Sequence, residues 1–227
     1  MLAKRGFASV RIADIAREAG VARMLVYRYF GGIRSLLHEF ASRSAFWPDV
    51  TELIGPDAAR MDEMTMAEMA TVVLQGHLRE LRRRPLTQEI MRWELTERNA
   101  LTKDLAEARE AQGNVIAPAL PGAPGDLDVQ AAGAILHAGL TYLVLRSKTA
   151  DAYFGVDLRT EEGWKRIEKA LAGLVKAQVD KAETGAPYSG SRASCAAIIS
   201  VLPRTRHRRS RRREKPPRAL RAAAELL

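Results

Sequence analysis

Residues 12–30, IADIAREAGVARMLVYRYF, decide the fold. Ile12, Ile15, Ala16 and Ala19 recur at i, i+3, i+4 and i+7, one apolar face of a helix. Gly20 falls where that face ends, the place for a helix-stopping residue with positive φ. Val21 then turns inward, and a second short helix runs through Met24, Leu25 and Tyr27 to Phe30. Two helices around a tight glycine turn form a helix-turn-helix, whose second helix lies in the major groove of DNA. The same pattern also fits an ordinary helical hairpin in an all-α core.

Beyond this stretch, the bulk composition sets bounds. At 227 residues and 47% hydrophobic side chains, the chain has the length for one large domain or two modest ones around a packed core. It contains no apolar run of about 18 residues or more, so no membrane span is expected. The charged start is not followed by the apolar stretch of a secretory leader. One cysteine, Cys195, excludes an intrachain disulfide framework and fits a reducing compartment. That cysteine and four scattered histidines offer no metal-ligand spacing. No nucleophile, base and orienting group come together by spacing. A cytoplasmic, non-enzymatic protein without metal or cofactor is the expectation.

The formal charge of +9 is unevenly spread. Residues 189–227 carry eleven basic and two acidic side chains, leaving residues 1–188 balanced. Within that balanced body, residues 1–47 carry eight basic and three acidic groups, and residues 48–188 carry 17 and 22. A basic N-terminal module on an acidic body attracts phosphate at one end only.

The wording of the opening stretch goes further than its periodicity. Gly6-Phe7, Asp14-Ile15-Ala16, Ala19-Gly20-Val21, Tyr27-Arg28-Tyr29-Phe30 and Leu36-Leu37 closely resemble the DNA-binding domain of the TetR family of bacterial transcriptional regulators. The spacing matches across residues 6–37 with no insertion. The resemblance implies an all-α, dimeric protein, with an N-terminal helix-turn-helix domain on a C-terminal ligand-binding and dimerisation domain. It also implies a long first helix ahead of Gly6, and most of that helix is missing here. A helix-turn-helix pair cannot bury both its faces without a third element. An alternative therefore stands beside the DNA reading: a small-molecule-binding helical dimer that has lost DNA binding through truncation.

Seven residues are candidates for DNA contact. Arg11 flanks the start of the first helix, where the family usually has a hydroxyl, and offers a charge-assisted phosphate contact. Ala22 stands where the family usually has a capping Ser, a loss of about 1 kcal/mol. Arg23, Met24 and Leu25 form the first turn of the second helix, the part that meets base edges. An arginine there grips guanine O6 and N7, whereas a methionine makes only apolar contact. Tyr27 and Arg28 match positions that in the family mostly touch phosphate. The family's phosphate-binding lysine is absent near Ile33, and Arg34 substitutes one place later. Tyr29 and Phe30 are expected to pack inside.

After Gly31-Gly32 an amphipathic helix begins with Ile33, Leu36, Leu37 and Phe40 and is expected to end near Trp47-Pro48, closing a domain over residues 1–47. Residues 48–60 read as a loop. Helices are expected over 65–84, 86–97 and 99–117, punctuated by Pro85 and Pro118. In the family these helices enclose a small-molecule pocket, for which Met69, Val73, His77, Met91, Trp93, Glu94 and Leu101 are candidates. Methionines and a tryptophan adapt to varied apolar shapes, and one carboxylate suits a cationic effector. The same stripe also reads as plain core, and His77 as a hydrogen-bonded core histidine.

Two last helices, over 128–148 and 161–181, are strongly apolar. Trp164, Ile167, Leu171, Leu174, Val175 and Gln178 mark the buried stripe of the second. Two such helices resemble the family's dimerisation half, where they pair with a second copy in a four-helix bundle. Ile135, Leu136, Gly139, Leu143, Trp164, Ile167, Leu171 and Leu174 are the candidate dimer interface of a domain spanning 48–188. Residues 189–227, with RTRHRRSRRREK, lack periodicity and read as a disordered basic tail. The leading expectation is an effector-responsive repressor that binds a palindromic double-stranded DNA operator as a homodimer.

Overall fold

The computed structural model describes residues 11–41, 47–119 and 127–185. The expected remnant of a first helix before Arg11, the end of the helix approaching Trp47, most of the loop after Pro118 and the basic tail fall outside the described residues. In chain order the helices are α1 (Ile12–Glu18), α2 (Arg23–Phe30), α3 (Ile33–Ala41), α4 (Val50–Ile54), a 3-10 helix (Gly55–Glu63), α5 (Met66–Arg82), α6 (Pro85–Thr96), α7 (Ala100–Ala119), α8 (Val129–Arg146) and α9 (Glu161–Gly185). Between α8 and α9 lies a minimal hairpin, β1 (Ala152–Tyr153) paired antiparallel with β2 (Val156–Asp157). The fold is all-α. Among the described residues no helix is long and apolar enough to cross a membrane.

Two compact units divide the chain, and they are not contiguous in sequence. The first joins residues up to Trp47 with 84–112; the second joins 48–83 with the described residues from 113 onward. The break between Trp47 and Pro48 falls at the expected domain edge, but α6 and the first three turns of α7 cluster with the helix-turn-helix segment. The reason lies in the apolar faces. Ile12, Ile15 and Ala16 of α1, Val26 and Phe30 of α2, and Leu36, Leu37 and Phe40 of α3 form one buried cluster with Ile90 of α6 and Leu105 of α7. Ile15, Val26, Leu36 and Ile90 are wholly enclosed. Burying each such side chain is worth about 1.5–3 kcal/mol.

In the second unit, the expected loop over 48–60 is instead helical. Asp49 Oδ1 accepts a hydrogen bond from the Glu52 amide (2.8 Å), and Glu52 Oε2 accepts one from the Asp49 amide (2.9 Å). This capping box starts α4 and sets Val50, Leu53 and Ile54 inward. Pro56 then stands near the start of the 3-10 helix, where its missing N–H costs nothing. A second capping box, Thr65 with Glu68, opens α5. Pro85 is the first residue of α6, while Pro118 lies inside the last turn of α7, which ends at Ala119, two residues beyond the expected stop.

The crossing of α4 and α5 depends on one glycine and one arginine. A Cβ at Gly76 would overlap the carbonyl oxygen of Leu53. Three residues on, Arg79 Nη2 donates to the carbonyls of Glu52 (3.1 Å) and Leu53 (3.2 Å), satisfying the open C-terminal end of α4. On α9, Trp164 is buried and donates its indole N–H to Leu158 O (2.9 Å). The Arg82 guanidinium covers the ring at 4.7 Å and pairs with Glu161. The buried stripe of α9 is Trp164, Leu171, Val175 and Val179. Leu174 and Gln178, expected in it, point to solvent, and Val179 takes their place one turn on.

Gly76→Ala is expected to destabilise the protein by about 1–3 kcal/mol, because the obstructing atom is backbone and cannot swing aside. The midpoint of urea unfolding reads this directly. Wild-type stability in that variant would refute the close crossing.

Candidate nucleic-acid interface

The turn after α1 is closed by backbone geometry. Gly20 has φ of +66°, and the Val21 amide donates to Ala16 O at 2.9 Å. A positive φ costs glycine little, so the chain reverses here without strain. Ala22 caps α2 with extended backbone but no side-chain hydrogen bond, and Arg11 does the same for α1. Gly31, with φ of +80°, ends α2 and accommodates the turn into α3.

Helical periodicity then divides α2 into two faces. Val26 and Phe30 are buried, while Leu25 and Tyr29 are half-buried against the same core. Arg23, Met24, Tyr27 and Arg28 share the outer face, with Met24 75% exposed and Tyr27 44%. Leu25 is therefore the one residue of the expected base-edge turn that leans toward the core.

The charges on this surface are as informative as its shape. Neither α2 nor α3 has an acidic residue in its first turn. Among the described residues, the exposed Arg11, Arg23 and Arg28 have no ion-pair partner, whereas Arg17 pairs with Asp14 at 2.6 Å. Arg34 is paired as well. Its Nε donates to Asp104 Oδ2 (2.8 Å) and its Nη2 to Asp104 Oδ1 (2.6 Å), a parallel two-bond fork to α7. Those bonds, with the carboxylate's charge, hold the guanidinium pKa above its ordinary value. Arg34 was expected as an open phosphate contact; the structure gives it an internal partner seventy positions away. No sequence pattern on α3 announces Asp104.

The seven effector-pocket candidates are divided between the units. Met91, Trp93, Glu94 and Leu101 belong to the first, and Met69, Val73 and His77 to the second. Met91 and Met69 are buried, and Trp93 and Leu101 pack against the helix-turn-helix core. Glu94 is almost enclosed and paired with Arg109, which itself lies 5.7 Å from the Trp47 ring centre. Its charge is thereby answered inside the unit, not held open for a cationic effector. His77 stacks on His137, ring centres 3.9 Å apart, and shares a hydrogen bond of 3.1 Å with Thr141 Oγ1.

The candidate dimer residues also separate by exposure. Ile135 (73%) and Leu174 (57%) stand out in solvent, Gly139 is exposed, and Leu136, Leu143 and Ile167 are half-buried. Trp164 and Leu171 are enclosed by their own unit. An open apolar groove of about 510 Å³ lies alongside, lined by Gly139, Tyr142, Leu143, Tyr153, Phe154 and Ile167 among others. The sequence reading missed Tyr142 and Phe154. Phe154, with φ of +48° at the hairpin tip, is 92% exposed. The available signal was an uncharged heptad on α8, Ala131, Ile135, Ala138 and Tyr142, all exposed.

Fold and surface together define a helix-turn-helix protein, almost wholly helical, with a cationic outer face on the second helix of the motif. Residues 1–40 match the family model described as bacterial regulatory proteins, tetR family. The match identifies the N-terminal segment as similar to the DNA-binding part of those regulators; residues 41–227 lie outside the matched span. No curated protein and no solved structure matches the chain.

Burial, with a smaller contribution from His137, lowers the pKa of His77 from 6.5 to about 3. The unfolded chain takes up a proton near pH 6.5 that the folded chain refuses. Stability from neutral His77 is thus complete above that pH and falls as pH drops toward 3. At pH 5 the loss is about 2 kcal/mol relative to pH 7.5. Urea unfolding of wild type and His77→Leu at both pH values should show the extra slope only in wild type; equal slopes would place His77 in water.

Proposed function

We propose that the chain acts as an effector-responsive repressor, binding a near-palindromic operator as a homodimer. One observation carries the reading: α2 buries Val26 and Phe30 while presenting Arg23, Met24, Tyr27 and Arg28 to solvent, both arginines without a carboxylate partner among the described residues. Unpaired guanidinium groups beside exposed apolar and phenolic side chains are the chemistry of base edges and phosphates. In this reading Arg23 takes a base edge, Met24 an apolar base contact, and Arg11, Tyr27 and Arg28 the backbone.

A two-fold dimer supplies two such helices. The uncharged exposed stripe of α8, with Ile135 and Tyr142 and the small residues between them, supports self-association with close helix approach. Repression then follows from occupancy of the operator. The effector acts by changing the separation of the two reading helices, a rigid-body switch. The expected operator half-sites are one helical turn apart, roughly 34–36 Å, or a multiple.

Selection of duplexes from a random library by the full chain tests the reading. Enrichment of an inverted repeat is expected, and capture indifferent to sequence would overturn it. On the enriched duplex, Arg23→Ala should lower affinity roughly 5- to 150-fold and relax choice at one base pair. An equal fall on every sequence would reduce Arg23 to a phosphate contact. Separately, Ile135→Glu should convert the dimer to a helical monomer in light scattering. A dimer that persists in that variant would move the interface elsewhere.

A further inference from the structure

The fork between Arg34 and Asp104 is the least expected contact of the first unit. Arg17 and Asp14 pair across one turn of α1, the local arrangement that helps a helix in water. Arg34 instead reaches a carboxylate seventy residues away, although its side chain remains 64% exposed. An exposed pair of this kind adds little to folding. Its main consequence is electrostatic, because it neutralises one cation of a unit in which Arg23 and Arg28 have no ion-pair partner among the described residues.

Three features make the pairing competitive with a nucleic acid. First, Arg34 is the second residue of α3, separated from the end of α2 only by Gly31, Gly32 and Ile33. The cation therefore stands in the first turn of the helix that follows α2. Second, two parallel N–H···O bonds to one carboxylate use the donor geometry that a guanidinium also offers to a phosphate, so one fork cannot serve both. Third, Asp104 is not on a swinging loop. The next residue, Leu105, is 1% exposed in the core shared with α1–α3, which holds the carboxylate within reach. Glu107, further along α7, adds negative potential at Arg34.

We propose that Asp104 is an internal stand-in for DNA phosphate, occupying Arg34 in the free protein and surrendering it when α2 docks on a duplex. Asp104 is then a positioning residue that lowers affinity for DNA of any sequence. The cost falls equally on operator and bulk DNA, so it weakens both and leaves their ratio unchanged. The inference rests on the DNA-binding reading above.

The test is a double-mutant cycle on the full chain. Fluorescence anisotropy follows binding to a random-sequence duplex and to the library-enriched duplex over a range of KCl concentrations. Asp104→Asn should tighten binding to both roughly two- to fivefold and leave the slope of log K against log [salt] unchanged, because Arg34 meets the same phosphate in both proteins. Arg34→Ala should have a smaller effect in wild type than in the Asp104→Asn background, and the double variant should bind like Arg34→Ala alone. If Asp104→Asn tightens binding equally with and without Arg34, the carboxylate acts only by general repulsion and the inference fails. Unchanged or weaker binding by Asp104→Asn also overturns it, and a misfolded variant would not give the tighter binding expected. A wild-type chain that binds neither duplex would remove the DNA-binding reading and this inference together; binding without coupling removes the inference alone.

Discussion

The first unit depends on covering the back of a motif too small to cover itself. Helices of seven, eight and nine residues cannot enclose their own apolar faces. Ile90 and Leu105, brought from α6 and α7, complete the cluster around Ile15, Val26 and Leu36. With the inner faces of α1–α3 fixed this way, the outer face of α2 is fixed too. A helix anchored by Val26 and Phe30 has no freedom to rotate Arg23, Met24, Tyr27 and Arg28 away from water. Reading surface and core are two sides of one constraint.

The same constraint explains why α6 and α7 cannot be assigned by sequence proximity. They follow α5 without a long linker, and Pro85 punctuates only three residues after α5 ends. By order they look like a continuation of one helical domain. By contact they belong with the residues before Trp47. The stretch from Gly113 returns to the other unit, so the residues of α7 are shared between the two.

What sequence could reveal followed the range of the interactions involved. The Gly20 turn, the inward Phe30 and the uncapped Ala22 are local consequences of spacing, and all were legible. The Asp49 and Glu52 capping box was equally local but hidden by the neighbouring Gly55 and Pro56, which read as loop. The long-range features left no trace. The Arg34–Asp104 fork spans seventy positions, the Gly76 crossing requires the carbonyl of Leu53, and Glu94 finds Arg109 only once α6 and α7 pack together. Periodicity also overstated α9. It marks an apolar stripe but does not say which half of the stripe faces its own unit, so Trp164 and Leu171 were grouped with Leu174, although only Leu174 is exposed.

The two units leave complementary surface problems. The first exposes guanidinium groups with no carboxylate partner among the described residues, and the second exposes Ile135, Tyr142, Phe154 and Leu174 along α8, the hairpin and α9. Single exposed apolar residues need no explanation, but a run of them beside an apolar groove does. Phe154 sharpens the point, since its φ of +48° is costly for a side chain that gains no burial in its own chain. Unpaired cations are satisfied by a polyanion, and uncovered aromatic and branched side chains by another apolar surface. Charge and hydrophobicity thus point to two different partners, on two different units, and neither demand is met by refolding the other.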